Sequence, residues 1–377
     1  MTLKDVKKTV SKMIYLTDDS AVDFLFATYV AAKTRSIRPV WLMLVGPPSS
    51  GKTVLLDSIA ACSGCIKISE FTPSTLLSGF VGREGQKDVL YQLNDNLLVI
   101  KDFTTILSMR TETRNAILGQ LREVYDGEYE RGVGTKLRGG ILKWRGRVGV
   151  AAGSTEVVFT SHKTVMAKMG ERFLYYRMPD EDTHTSLPLS TSVIGNEYKI
   201  EKEIHDAFRA YAKELVYSPS SIGRYWEGRI EALGEFVSLI RTPIPELESG
   251  ERGRKEGGAR VNKQLQTLAQ IFKAVHKTDE MNEDIFKLCL KAGMDSIPSL
   301  KLELVEILRA QDITTSERAL STLELAVRLG HTSNTEFGKF LAKFLRFGIL
   351  VNGRNKNSWY LGPRVQKLYE TINDTSK

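Results

Sequence analysis

The stretch Trp41–Thr53, WLMLVGPPSSGKT, joins an apolar run to a glycine-rich segment. The second half fits the pattern G-x-x-x-x-G-K-[ST] at every fixed position, through Gly46, Pro47, Pro48, Ser49, Ser50, Gly51, Lys52 and Thr53. Such a segment lets backbone N–H groups surround a phosphate, and the helix that follows points its N-terminus at the same anion. A helical pattern over Val54–Ala61 supplies that helix. We therefore expect a nucleoside triphosphate site, with Lys52 on the β- and γ-phosphates and the Thr53 hydroxyl on Mg²⁺.

The composition is that of a large folded chain with a moderate excess of positive charge. The 377 residues, 42% of them hydrophobic, suffice for two or three domains. The 53 basic residues exceed the 45 acidic ones by 8, which favours an anionic partner. No apolar run could span a bilayer and no charged-then-apolar leader begins the sequence, so we expect a cytoplasmic protein without a membrane partner.

Cys62 and Cys65 have the C-x-x-C spacing of half a zinc site or of a redox pair. No second ligand pair follows, and the five histidines are scattered along the chain. We therefore expect ordinary reduced thiols at these positions, and neither a metal site nor a disulfide framework.

Strand-like runs alternate with helical patterns in the first half of the chain. They are Trp41–Val45, Ile66–Ser69, Leu97–Ile100, Val148–Ala152 and Phe173–Arg177. This alternation predicts an α/β fold whose parallel sheet is covered on both faces, the core of a P-loop ATPase. The expected domains are an N-terminal helical segment (1–38), an ATPase core (39–180), a helical lid (197–295) and a C-terminal domain (296–377). Asp180–Asn196 has no apolar period and predicts a linker, and Thr242–Ala259, rich in Gly and Pro, predicts a loop.

An apolar run that ends in an acid is expected beside the phosphate loop, and Leu97–Asp102 supplies it. Asp102 is therefore our candidate for the carboxylate on the Mg²⁺ side. Most ATPases of this type carry next a glutamate that polarises the attacking water, but Phe103 stands there. Either another acid serves as base, with Glu70 preferred over Glu123, or hydrolysis is slow and Phe103→Glu would speed it.

The run Val148–Thr155 predicts a buried strand that ends in small polar residues. A hydroxyl at such a strand end can help to hold the attacking water, so Ser154 or Thr155 is a candidate for contact with the nucleotide. Simple termination of the strand is the alternative.

The succession GPPSSGKT, LLVIKD, VGVAAGST, GERF and GGARVNKQLQTLAQIFKAV is similar to AAA+ ATPases over roughly residues 40–292. The resemblance is greatest to MCM-type helicases and their shorter relatives on phages and mobile elements. It implies a homo-oligomer, a hexameric ring, in which Arg172 of GERF reaches the ATP held by the next subunit. It also implies that Arg260 starts a lid helix and faces the γ-phosphate. An arginine supplied in trans stabilises the charge on the transferred phosphoryl group.

Between Asp102 and the strand at Val148, the segment Glu128–Arg147 carries six basic and two acidic residues. Gly139-Gly140 is typical of a hairpin turn. The AAA+ resemblance implies a β-hairpin here that projects into the central channel. Lys136, Arg138 and Lys143 would then contact single-stranded DNA through its phosphates, independently of base sequence. A solvated surface hairpin is the alternative.

Gly79–Gly82 resembles the aromatic–hydrophobic–glycine loop with which ring-shaped AAA+ unfoldases grip polypeptide. Phe80 would then be the gripping residue. An aromatic side chain at this place could equally stack on a base or pack in the core.

The C-terminal sequence resembles a winged-helix domain. Helical patterns cover Leu300–Arg309, Leu323–Leu329 and Asn334–Phe347, with Ser333 as N-cap of the last, and strand-like runs cover Gly348–Val351 and Ser358–Leu361. The basic side chains that suit duplex DNA are Lys339, Lys343 and Arg346 on the third helix, and Arg354 and Lys356 on the wing. Many winged helices bind proteins instead, so that alternative stays open.

Three functions are therefore compatible with the sequence. The first is an ATP-dependent DNA motor, a helicase or replication initiator of a phage or mobile element. The second is an AAA+ remodeller that pulls polypeptide with Phe80. The third is a DNA-binding protein switched by nucleotide, which the residue Phe103 favours because it implies slow turnover.

Overall fold

The computed structural model describes residues 1–77, 88–135, 138–157, 172–242, 257–330 and 334–374, with the backbone alone for 133–135, 138, 139 and 334. The chain forms two compact units, one of Met1–Ser220 with Gln270–Glu280, the other of Ser221–Ala269 with Met281–Lys377. The prediction of an α/β fold with a parallel sheet is confirmed. The finer division into four domains stays a prediction.

The first unit contains α1 (Leu3–Val10), α2 (Ala21–Lys33), β1 (Trp41–Gly46), α3 (Lys52–Ala60), β2 (Cys65–Ile68), α4 (Val89–Gln92), β3 (Asn96–Ile100), α5 (Thr104–Leu107), α6 (Thr111–Asp126), β4 (Glu128–Thr135), β5 (Arg138–Arg145), β6 (Val148–Thr155), β7 (Phe173–Arg177), α7 (Thr183–Ser192) and α8 (Glu197–Glu214). The second unit contains α9 (Arg224–Arg241), α11 (Glu283–Asp295), α12 (Ser299–Ala310), β8 (Leu320–Ser321), α13 (Thr322–Arg328), α14 (Asn334–Leu345), β9 (Leu350–Asn352), β10 (Ser358–Leu361) and α15 (Pro363–Ile372). Between α9 and α11 runs α10 (Ala259–Val275), which belongs to the second unit up to Ala269 and to the first from Gln270.

Five parallel strands form the sheet of the first unit, in the order β2-β3-β6-β1-β7. All six residues of β1 are buried, as expected for a strand covered on both faces. Trp41, Met43 and Val45 pack into the apolar cluster that contains the buried side chains of α6. Because strand side chains alternate, Leu42 and Leu44 face the opposite side, where α2 and α3 cover the sheet. The phosphate-loop strand therefore lies in the interior of the sheet.

The hairpin expected in the segment Glu128–Arg147 is present as β4 and β5, and we call it the basic hairpin. Its turn was predicted wrongly. Gly139 pairs with Gly134 and Gly140 pairs with Val133, so both glycines belong to β5 and are not the turn. Gly140 has a φ of 149°, a conformation that L-residues rarely adopt, and this explains a glycine inside the strand.

The linker expected at Asp180–Asn196 is wrong as well, because this segment contains the helix α7. Asp182 caps the helix by accepting a hydrogen bond from the His184 N–H at 3.1 Å. None of the ten residues of α7 is buried, so the helix lacks the apolar period by which helices are recognised in a sequence. The helical stretch expected from Glu197 onward consists of two helices, α8 and α9.

In the second unit, α12, β8, α13, α14, β9 and β10 follow one another as helix, strand, two helices and two strands. Strand β10 lies between β8 and β9 and pairs antiparallel with both. We call β9, β10 and the residues between them the C-terminal hairpin. The third predicted helix ends at Leu345, two residues earlier than expected, and its predicted cap Ser333 lies outside the described residues.

The buried side chain of Arg229 connects three helices of the second unit. Its side chain is 3% exposed and donates to both carboxylate oxygens of Glu283, at 2.7 and 3.1 Å, and to the Ile372 carbonyl at 2.9 Å. The guanidinium also lies over the Phe286 ring, 3.8 Å from its centroid. One cation thus ties α9 to both α11 and the end of α15.

We expect Arg229→Lys to lower the free energy of unfolding by about 2 kcal/mol, because an ammonium cannot make the bidentate pair and the ring contact together. Urea unfolding followed by circular dichroism measures this. Arg224→Lys, at the exposed start of the same helix, is the matched control and should change stability by less than about 0.5 kcal/mol. Equal effects of the two substitutions would contradict the assignment.

Candidate functional site

The loop between β1 and α3 has the backbone conformation of an anion site. Ser49 and Gly51 have positive φ values of 64° and 82°, and α3 begins directly after Gly51, at Lys52. The helix therefore starts two residues earlier than Val54, the start predicted from the sequence. Its first N–H groups have no partner inside the helix and point toward the loop, which favours a bound phosphate.

Lys52 lies over this loop. Its ammonium donates to the carbonyls of Gly46 at 3.0 Å and Pro47 at 2.5 Å, and to the Ser50 hydroxyl at 2.9 Å. Burial lowers the pKa of Lys52, and the charge of Asp102 acts in the opposite direction. The ammonium and the carboxylate thus belong to one electrostatic site, as the sequence predicts for a phosphate and a Mg²⁺ ion bound side by side.

Two close approaches shape the loop. A Cβ atom at Gly46 would lie 2.7 Å from the Met178 Cβ, so only glycine fits where β1 ends. A Cβ atom at Gly51 would lie 2.8 Å from the Ile14 Cδ1. Ile14, in the segment between α1 and α2, is therefore a neighbour of the phosphate loop that sequence reasoning missed. Its position in a short apolar group far upstream gives no signal of this.

The carboxyl ends of three strands bring the predicted residues to one edge of the sheet. In the register of the sheet, Ser154 lies beside Val45 and Thr155 lies beside Gly46, which starts the loop. The neighbouring strand β3 ends just before Asp102, whose carboxylate accepts a hydrogen bond from the Thr104 N–H at 2.9 Å. The Thr104 hydroxyl in turn accepts from the Thr155 N–H at 3.2 Å, so the two strand ends are linked.

Lys101, the residue before Asp102, fixes this strand end to α3. Its ammonium pairs with Asp57 of α3 at 2.8 Å, and Lys67 pairs with the same carboxylate at 3.0 Å. Burial raises the pKa of Asp57, but the hydrogen bonds from Lys101 and Lys67 outweigh it, so that the pKa is lowered overall. Sequence reasoning assigned no role to Lys101, although its place beside Asp102 was a signal.

Phe103 belongs to the core. The side chain is fully buried and packs edge-on against Phe173, with ring centroids 5.6 Å apart. The Phe103 N–H donates to the Gly153 carbonyl at 2.6 Å, and Gly153 admits no side chain because a Cβ would lie 2.7 Å from the Lys101 carbonyl. Phe103→Glu would therefore place a carboxylate in the apolar core, and the expectation that this substitution speeds hydrolysis stays a prediction.

Glu70 is exposed and follows β2, the edge strand of the sheet. Three strand spacings separate β2 from β1, about 14 Å in all. Glu123 is exposed in the last turns of α6, on the chain just before the basic hairpin. The register therefore brings neither acid to the phosphate loop, and the role of Glu70 as base stays a prediction.

Arg172 directly precedes β7 and so lies at the amino edge of the sheet, opposite the phosphate loop. Only 7% of the residue is exposed; its guanidinium donates to Asp126 at 2.7 Å and lies 5.5 Å from the centroid of the Tyr125 ring. This position excludes contact with the loop of its own subunit. Action on a neighbouring subunit stays a prediction and would require Arg172 to exchange Asp126 for phosphate.

Arg260 is exposed in the first turn of α10 and belongs to the second unit, so its contact with the γ-phosphate also stays a prediction. Phe80 and Lys136 lie outside the described residues, as does the side chain of Arg138. The predictions of polypeptide gripping and of channel contacts at these three positions are therefore untested.

The described cations of the basic hairpin are already engaged. Lys143 pairs with Glu130 at 2.9 Å and Arg145 pairs with Glu128 at 3.3 Å, each across the two strands. Arg131 donates to the carbonyls of residues 73 and 77, and Arg147 to those of residues 31 and 37. The net charge of this segment therefore overstates how much positive charge its described part offers to DNA.

The cations of the second unit that were predicted to bind DNA differ from those of the basic hairpin in their ion pairing. Lys339, Arg346 and Lys356 are exposed and Lys343 is partly exposed. In the portion of the unit that the structure describes, no carboxylate pairs with any of these four. Arg354 is the exception, because it pairs with Glu317 at 3.3 Å. Four of the five predicted DNA contacts of this unit thus present an uncompensated charge.

Cys62 and Cys65 sit in an environment that keeps them protonated. Burial raises the pKa of both thiols to about 12. Thiolates are the nucleophilic and metal-binding form of cysteine, so these residues are poor candidates for redox or zinc chemistry at neutral pH. Across the described ranges, no group of three or more His, Cys, Asp and Glu side chains is arranged to hold a metal ion.

We expect Phe103→Glu to lower the free energy of unfolding by at least about 3 kcal/mol, because it removes a buried ring and places a carboxylate in the apolar core. Phe103→Leu, which keeps the position apolar, should cost less than about 1.5 kcal/mol. Urea unfolding of both variants measures the difference. Faster ATP hydrolysis by a fully stable Phe103→Glu protein would contradict the assignment of this position to the core.

No helix within the described residues has both the length and the apolar composition needed to cross a membrane. A scan against protein-family models finds no match for this chain, and a search of curated proteins finds no significant relative.

Proposed function

We propose that this chain is an ATP-dependent DNA motor of the AAA+ class, a homo-oligomer that hydrolyses MgATP between subunits. The observation that carries the proposal is the convergence of the phosphate loop, Asp102 and Ser154 at one edge of the parallel sheet. Lys52 would neutralise the β- and γ-phosphates, while Thr53 and Asp102 would hold Mg²⁺. That ion would polarise the phosphoryl group and spread its developing charge.

The strand order supports a site at this edge. Because β6 lies between β1 and β3, its end at Ser154 and Thr155 falls between the phosphate loop and the acid strand. A ligand that extends from Lys52 toward Asp102 would pass this strand end. Ligands of open α/β sheets bind outside the carboxyl ends of the strands, which agrees with this arrangement.

The position of Arg172 supports action between subunits. At the amino edge it cannot reach its own phosphate loop, so any catalytic contact must be made to another copy of the chain. Hydrolysis would then depend on assembly, which is how an arginine supplied in trans regulates P-loop enzymes.

The charge distribution supports DNA as the polymer on which the motor acts. The uncompensated cations of α14 and the C-terminal hairpin suit phosphate contacts, and the succession of helices and strands around them agrees with a winged helix. The basic hairpin would contact the single strand through Lys136 and Arg138, at its tip.

A second candidate function is favoured by one observation. Phe103 occupies the core where most P-loop ATPases carry the glutamate that activates water, and Glu156, the described acid that follows β6 beside the phosphate loop, is already paired with Arg177. The chain would then be a DNA-binding protein that changes state on binding MgATP and hydrolyses it very slowly.

Steady-state ATP hydrolysis by the full chain separates the two functions. The rate is measured alone, with single-stranded DNA, with duplex DNA and with an unfolded protein, and Lys52→Ala provides the background. For the motor we expect stimulation by single-stranded DNA at least tenfold above that background, reduced by salt and by Arg138→Ala. Lys143→Ala is the matched control, because Lys143 is already paired with Glu130, and it should change the stimulation little.

A rate that stays at the Lys52→Ala level with every ligand would contradict the motor. If MgATP nevertheless raises the melting temperature of the wild type and leaves Lys52→Ala unchanged, the switch is the better account. Stimulation by unfolded protein alone would instead favour the polypeptide remodeller.

We also expect the three cations of α14 to dominate binding to duplex DNA. Replacing Lys339, Lys343 and Arg346 by glutamine should lower the slope of log K against log salt by about 2.7, since each phosphate contact contributes about 0.9. Fluorescence anisotropy with a labelled duplex from 50 to 300 mM salt measures this. The control, Lys143→Gln with Arg145→Gln, removes cations that are already paired and should change the slope by less than about one. Equal losses from both variants would contradict the prediction.

A further inference from the structure

Helix α7 leaves apolar side chains exposed in the part of the chain that the structure describes. None of its residues is buried, and Leu187 is 62% exposed. The residues that lead from α7 into α8 continue this surface, with Ile194 at 69% and Tyr198 at 89% exposure. Three large apolar side chains within twelve residues form a patch of the kind that marks a protein–protein contact.

The same segment is acidic. Residues 180–198 contain the carboxylates Asp180, Glu181, Asp182 and Glu197, and no lysine or arginine. The whole chain has a net charge of +8, whereas this segment has a net negative charge. The segment therefore suits an apolar surface with a positively charged border.

The second unit contains such a surface. A groove of about 740 Å³ runs between α13, α14 and the C-terminal hairpin. The groove is lined by the small residues Gly338 and Ala342 of α14, by Leu323 at 55% and Leu345 at 36% exposure, and by Lys356 of the C-terminal hairpin. Small residues spaced by four along one wall let a second helix approach closely.

The groove matches α7 in length and in chemistry. Its α14 wall runs from Thr335 to Leu345, about 15 Å of helix, which is also the length of the ten-residue α7. Along α14, the groove wall and the stripe of Lys339, Lys343 and Arg346 are neighbouring but separate faces, because they differ by roughly a quarter turn. DNA held by these three cations of α14 leaves the groove wall accessible, whereas DNA and α7 would compete for Lys356.

We infer that α7 of one copy of this chain docks in the groove of a second copy, with Leu187 and Ile194 on its apolar wall and the flanking carboxylates toward Lys356. The contact joins two different surfaces, so it is heterologous and propagates head to tail into a ring or a filament. It specifies an interface for the homo-oligomer of the proposed function, and it rests on that oligomer but not on ATP hydrolysis. A ten-residue helix buries less than a standard interface of about 1,600 Å², so the contact alone should have micromolar affinity.

The test uses two variants of the full chain, each with one defective surface. Ala342→Glu places a charge in the groove at an exposed helical position, and Leu187→Asp with Ile194→Asp removes the apolar patch of α7. By sedimentation velocity, each variant should associate at least tenfold more weakly than the wild type. Their mixture should form a heterodimer and nothing larger, because one intact groove meets one intact α7.

Two exposed substitutions elsewhere serve as controls. Ala310→Glu at the end of α12 adds the same charge to the second unit, and Val216→Asp replaces an apolar side chain that is 74% exposed beyond α8. Both should associate like the wild type, and circular dichroism checks that every variant is folded.

A mixture that stays monomeric would overturn the inference, as would variants that associate like the wild type. Loss of duplex binding by Ala342→Glu with unchanged association would mean that DNA occupies the groove instead. Failure of the proposed function is a separate result, because absent ATPase activity would leave the measured association intact.

Discussion

The parallel pairing of β1 with β6 on one side and β7 on the other is the constraint on which the rest of the first unit depends. Because β1 is buried on both faces and bonded on both edges, the loop that follows Gly46 cannot shift without disrupting the sheet. The same register places Ser154 beside the loop, and different candidate functional residues lie at the two edges of the sheet. The carboxyl edge carries the candidate nucleotide site, while the amino edge carries Arg172 and the root of the basic hairpin.

These amino-edge elements are joined by one ion pair. Asp126 is the last residue of α6, Gly127 turns the chain with a φ of 94°, and β4 begins at the next residue. Arg172 therefore holds the root of the hairpin when it binds Asp126, and a cation at this helix end is also favoured by the helix dipole. Under the proposed function, the same guanidinium would leave Asp126 to reach a neighbour's phosphate. The contact with a neighbouring subunit and the anchoring of the basic hairpin would then compete for the Arg172 side chain.

The sequence predicted those elements that a local pattern of residues defines. The five strands of the sheet and the phosphate loop are within three residues of their predicted places, because buried apolar runs and a loop that needs glycine leave few alternatives. The sequence did not predict helix α7, because none of its residues is buried and it therefore has no apolar period. The turn of the basic hairpin was misplaced because Gly140 lies within a strand, where its positive φ requires glycine. The contact of Ile14 with the site depends on tertiary packing, and its local sequence carries no trace of it. The place of Lys101 beside Asp102 was a signal, but the partner of Lys101, Asp57, is set by tertiary packing.

Net charge is easily counted from the sequence, but only the structure shows which of the charges are paired. The excess of 8 positive charges gives no hint that Lys143 and Arg145 are neutralised across a hairpin while Lys339 and Arg346 are not. Exposed ion pairs contribute little to stability, yet they decide which cations attract a polyanion without first breaking a contact. By this reasoning the second unit offers a polyanion more unpaired positive charge than the described part of the basic hairpin does. The carboxylates that flank α7 have the opposite sign, and in the proposed contact they would face Lys356 of another copy of the chain.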